Sequence, residues 1–97
     1  MITTATDFEL IEKEKIVDLK FPDEDILSDS ASIQERKLDL ETALKLGNND
    51  HHKIKIYFED SFSKKMVETT VWGVTDKRVI LKQGVVIPIH RIYRLKL

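Results

Sequence analysis

The sequence predicts a mainly β domain with one helix: a small five-stranded barrel preceded by that helix and by an acidic N-terminal segment. Three observations carry this. A helix-period apolar stripe runs over residues 33–46. From His52 onward the apolar period drops to two. Turn signals then cut the rest of the chain into short strands with almost no connecting length.

The chain has 97 residues, enough for one domain with a modest core, or a domain plus a tail. It has no cysteine, so disulfides and thiolate chemistry are excluded, and zinc would have to use His and carboxylates alone. The first residues, MITTATDFELIEKEK, hold no long apolar run, which predicts neither signal peptide nor membrane span. A cytoplasmic protein of a prokaryotic cell is expected by default. The net charge of −1 hides a split. Residues 1–50 hold 6 Lys/Arg and 13 Asp/Glu, a net of −7; residues 51–97 hold 10 and 4, a net of +6. Either the basic half meets an anionic partner, or the acidic half folds over it and neutralises it.

Residues 1–31 are expected as an acidic arm, partly extended or disordered, and residues 32–97 as the helix and barrel. Residues 1–7 are expected to fray. Over 8–21, FELIEKEKIVDLKF fits both a strand and a helix face, so 8–14 stay open and 15–21 are expected extended. PDEDILSDSA, residues 22–31, reads as an exposed, mobile linker, with Ile26 and Leu27 as its candidate anchors. Ser32 and Glu35 form the S-x-x-E pattern of a capping box. Behind it, Ile33, Leu40, Ala43 and Leu44 share a stripe edged by Leu38 and Leu46. That stripe suits core packing, with a partner-binding helix as the alternative. Gly47 stands where a left-handed cap would end the helix.

Ile54, Ile56 and Phe58 then alternate with polar neighbours as a half-buried strand. EDSFSKK is its turn. MVETTVWGVT, residues 66–75, is a long β-branched strand in which Gly73 marks a bulge or bend, a device that lets one strand serve two sheets. RVILK and VVIPI form a hairpin about Gln83-Gly84. Pro88 has no amide to donate and so places its strand at an edge. His90-Arg91-Ile92 is a single turn, and residues 93–97 the last strand.

This order resembles the Sm-like version of the SH3-type barrel, on IKIYF, TDKRVILK and IPIHRIY over residues 40–95. It is similar to the bacterial Sm-like RNA chaperones of the Hfq family, and to the Rho-binding antiterminator Rof, a protein-binding Sm-like barrel. The first resemblance implies RNA binding through an Asp, a Gln and an aromatic after it, and a late Lys-His pair. Asp76 and His90 match; Lys77, Arg78 and Ile89 stand where the Gln, the aromatic and the Lys would be. The resemblance therefore implies the fold more than the uridine pocket.

No nucleophile–base spacing and no Gly-rich phosphate loop occurs, so no enzyme activity and no cofactor is expected. His51-His52 beside Asp50 point apart on extended chain and suit a solvated loop better than a metal. His90 in a turn suits a bond to a backbone carbonyl, with RNA contact as the alternative. Glu24-Asp25 and Glu59-Asp60 are expected solvated. Trp72, the sole tryptophan, is expected in the core.

The basic strands carry the functional expectation. Lys53, Lys55, Tyr57, Lys77, Arg78, His90, Arg91 and Arg94 are the candidate contacts to RNA or single-stranded nucleic acid, cations for phosphates and rings for bases. A protein-interaction adapter or regulator of the Rof kind, docking through edge strands or the acidic segment, is the alternative. The chain is expected as a monomer or dimer, since Pro88 disfavours ring closure at its edge.

Overall fold

The computed structural model describes residues 8–97; the fraying expected of residues 1–7 lies outside them. Seven strands form two sheets beside one long helix. The strands are β1 (Glu9–Leu10), β2 (Ile54–Glu59), β3 (Lys64–Thr69), β4 (Val71–Val74), β5 (Arg78–Leu81), β6 (Val86–Pro88) and β7 (Ile92–Lys96). The first sheet runs β1-β3-β2-β7 and the second β4-β5-β6. Pairing among the described residues yields two open sheets and no closed barrel.

The long strand expected over 66–75 breaks at Thr70, so β3 pairs in one sheet and β4 in the other. The Thr70 carbonyl accepts from the Lys82 amide at 3.0 Å, which ties the break to the second sheet. The expected bulge lies between Val71 and Gly73, where Trp72 is the extra residue. Alternation from the fully buried Val71 points Trp72 outward, and the bulge leaves it without a register partner on β5. Trp72 is 50% exposed rather than in the core, a correction to the sequence expectation. The hairpin forms about Gln83-Gly84, both at positive φ, but Ile80 pairs with Val86 and the Leu81 amide donates to the Val85 carbonyl, so the connection is the three residues Lys82–Gly84. Pro88 does lie on an edge strand.

Helix α1 (Ser30–Asp50) is longer than expected at both ends. Asp29, not Ser32, is the N-cap: its Oδ2 accepts from the Ser32 amide at 2.9 Å, and that bond holds the Asp29 carboxyl below the usual range. Asp caps as well as Ser, so the upstream candidate gains a turn of helix. At the other end the left-handed cap is His51 at φ 52°, not Gly47. Gly47 is buried inside the helix, where a Cβ would meet the Val71 carbonyl oxygen at 2.1 Å. The buried stripe is Arg36, Leu40, Ala43 and Gly47; Leu38, expected at its edge, is largely exposed.

Residues 15–18, expected extended, belong to a 3-10 helix over Lys13–Asp18. Its period of three aligns Lys13, Ile16 and Leu19, burying Ile16 in the core and leaving Val17 exposed. One core joins Ile16 to Leu40 and Ala43 of the helix and to both sheets, through Phe58, Val67, Val71, Leu81 and Ile87. The acidic segment is thus tied into the core at Ile16.

Candidate nucleic-acid interface

Alternation along β2 sends Ile54, Ile56 and Phe58 inward and Lys55, Tyr57 and Glu59 outward. Register then decides what stands beside them. Lys55 lies opposite Lys96 and Tyr57 opposite Arg94 on β7; on the other side Lys55 lies opposite Glu68 and Tyr57 opposite Met66. The β2–β7 register slips between Tyr57 and Phe58, so Tyr93 is an extra residue on β7. Tyr93 and Arg94 both reach the outer face through that bulge. Lys53 and Lys64 share its parity. The outer face of the first sheet therefore carries four cations, Lys55, Lys64, Arg94 and Lys96, with Lys53 just ahead of β2 at the same parity, against two carboxylates, Glu59 and Glu68.

The rings and cations interleave. The Arg94 guanidinium carbon stands 4.4 Å from the Tyr57 ring centroid, and Lys64 Nζ 5.5 Å from that of Tyr93. The Tyr93 hydroxyl donates to Glu59 Oε1. Burial and that neighbouring carboxylate push the Tyr93 phenol up to about 12. The raised value means that its stabilising share is fully present below the ordinary value of 10.0 and is lost as the pH rises through about 12. In Tyr57→Phe, where Tyr93 is the one tyrosine left, tyrosinate absorbance is expected to rise only near that upper value; a midpoint at the ordinary one would remove the Glu59 contact.

The face is not bare. Phe8 lies edge-on to both tyrosines, its centroid 5.0 Å from Tyr57 and 5.8 Å from Tyr93. With Phe8 and Arg94 over it, Tyr57 is only 8% exposed. Nothing in the alternation pattern of β2 forecasts this cover, because it comes from a residue nearly fifty positions away.

The other candidate cations go elsewhere. His90 Nε2 donates to the Pro22 carbonyl at 2.8 Å, the carbonyl bond expected of a turn histidine. Arg91 donates to the carbonyls of Glu24 and Glu59 at 2.8 and 3.2 Å and is buried. The Ile26 amide donates to the His90 carbonyl at 3.0 Å. The segment expected as a mobile linker is thus strapped onto these two residues. Its Asp25 makes a paired contact with the buried Arg36, Nη1 donating to Oδ1 at 3.1 Å and Nη2 to Oδ2 at 2.8 Å. The Arg36 bonds hold the Asp25 carboxyl below its ordinary value, against the upward push of burial. Lys77 and Arg78 line a groove of about 650 Å³ together with Asp23 and Asp76, so its charges are balanced locally.

Asp60, expected solvated, is buried in the β2–β3 turn. Its Oδ1 accepts from the Phe62 and Ser63 amides at 2.9 Å each, and its Oδ2 from Lys65 Nζ at 3.0 Å. Burial pushes this carboxyl up; the two amides and the ammonium outweigh it and hold the group below its ordinary value. The D-S-F-S spacing was the available signal, since Asp two and three residues ahead of free amides makes such turns. Among the described residues no three His, Cys, Asp or Glu side chains are placed to share a metal ion, and no helix is long and apolar enough to cross a membrane.

Compared with protein-family models, curated proteins and solved structures, the chain finds no match in any of the three.

Proposed function

We propose that this chain is a non-catalytic nucleic-acid-binding module, whose contact surface for RNA or single-stranded DNA is the outer face of β1-β3-β2-β7. One observation carries the reading. Lys55 and Lys96 are direct register partners across β2–β7. Like charges in that position cost stability. A bound phosphate would relieve the cost, and Lys53, Lys64 and Arg94 extend the same field along the face. The strand order supports a further reading of the two sheets as halves of a small Sm-like barrel, with β3 and β4 as its one bent strand.

Five phosphate contacts on a single strand predict a log–log salt slope of about −3 to −4. The test is anisotropy of a labelled mixed-sequence single-stranded RNA against the full chain, from low to moderate salt. Lys96→Glu separates function from fold. It replaces a repulsive pair by an attractive one and is expected to raise stability by roughly 0.2–1 kcal/mol. The same change is expected to weaken RNA binding and flatten the slope. Binding that is absent, or indifferent to salt, would sink the reading.

A protein-docking adapter is the second reading. Trp72 and Val86, exposed apolar residues of the second sheet, favour it.

A further inference from the structure

We propose that the seat of Phe8 is a ring-binding subsite for a nucleobase, and that residues 8–10 of the chain occupy it until a single strand displaces them. The inference rests on the nucleic-acid reading of this face and adds its control.

The seat has the chemistry a nucleotide requires. A planar ring is held against the two tyrosines, with Lys64 Nζ 5.9 Å from its centroid and Arg94 over Tyr57, the nearer of the two. A base in the position of Phe8 would meet the same rings, and its phosphates the same cations. The bond between Tyr93 and Glu59 fixes one wall of the seat whether or not Phe8 is present. The net positive field of the face selects a polyanion over a neutral peptide.

The occupant is weakly held apart from its ring. Strand β1 has two residues, both exposed, with Leu10 at 66%. Beyond its two register pairs with Lys65 and Met66, the Ile11 amide donates to the Met66 carbonyl at 3.0 Å. So short a parallel strand, with exposed side chains, sits at the low end of local stability. The chain after it is anchored separately, by Ile16 in the core and by Asp25 on Arg36. Ile11 is half-buried against the core, so residues 8–10 can leave while Ile11 and the rest of the segment stay docked. Ligand affinity is then reduced by the fraction of molecules in which the seat is vacant.

The same anisotropy titration tests this on the full chain. Phe8→Ala vacates the seat and is expected to bind about tenfold more tightly. Leu10→Cys combined with Met66→Cys joins two register partners in a chain that has no other cysteine. Its oxidised form is expected to bind about tenfold more weakly than its reduced form. Trp72 emission and thermal unfolding report that each variant is folded. If the native chain binds, yet Phe8→Ala binds equally or less well and oxidation changes nothing, the subsite is overturned and the nucleic-acid reading stands. If neither the native chain nor Phe8→Ala binds, both fall.

Discussion

Gly47→Ala is expected to cost about 3 kcal/mol of stability, as overpacking against a backbone atom does. The sign is opposite to what helix propensity gives, since alanine in a helix interior is favoured over glycine by about 1 kcal/mol. Geometry decides between them. The added Cβ would stand 2.1 Å from the Val71 carbonyl oxygen and 3.2 Å from Thr70 Cγ2. The oxygen belongs to the backbone of a paired strand and cannot swing aside as a side-chain tip does. Asn48→Ala, one position on and exposed, is the matched control, and a small gain is expected there. Denaturant midpoints for the pair check this. A Gly47→Ala chain as stable as the native one would mean that α1 does not lie on β4 as described.

Asp60→Ala is expected to be of similar size or larger, about 3–5 kcal/mol, because it leaves a buried ammonium without its counter-charge. The Asp60 side chain is fully buried and that of Lys65 only 11% exposed. The change also strips the Phe62 and Ser63 amides of their acceptor. Adding Lys65→Met removes the orphaned charge and is expected to recover part of the loss. A single-variant cost below about 1 kcal/mol, the level of an exposed pair, would contradict the burial. The pH dependence follows from the lowered carboxyl. A group held down in the folded state contributes stability that is present above its ordinary value of 3.8 and is lost as the pH falls through its folded value. Native chain is therefore expected to weaken steeply in acid, and Asp60→Ala less so, with Asp25 and Asp29 among the carboxylates that supply what remains. Urea melts across the acid range read the difference.

Both residues show where the sequence was legible and where it was not. Gly47 and Asp60 were each marked as special positions by residue type. Their local readings, a helix cap and a solvated turn, used only neighbouring residues. What selected the true role was a group far along the chain in one case, the carbonyl of Val71, and burial in the other. Trp72 differs for a related reason. Its expected burial rests on the rule that a lone large ring goes to the core, whereas its place beside the fully buried Val71 turns it outward. Phe8 is the clearest case, because its partners Tyr57 and Tyr93 lie in strands nearly fifty and more positions away. The candidate cations divide along the same line. Lys55, Tyr57 and Arg94 meet because period-two strands in antiparallel register must place them so, and that much follows from sequence once pairing is granted. Arg91 and His90 look equivalent to them in sequence, yet they are spent on the carbonyls of residues 22 and 24.

By itself, the sequence determined the order of elements after residue 30, the hairpin at Gln83-Gly84, the edge position of Pro88 and the alternation that faces β2. These are local, set by dihedral preference and by the two periods that a chain can adopt. The tertiary structure decided where the helix stops, which carboxylates are buried and which cations remain open to a ligand. It also laid the acidic segment across the molecule and seated Phe8 on the basic face. Those outcomes depend on burial, and burial belongs to the packed chain: the free energy of a charge or a ring is fixed by which distant groups come to surround it.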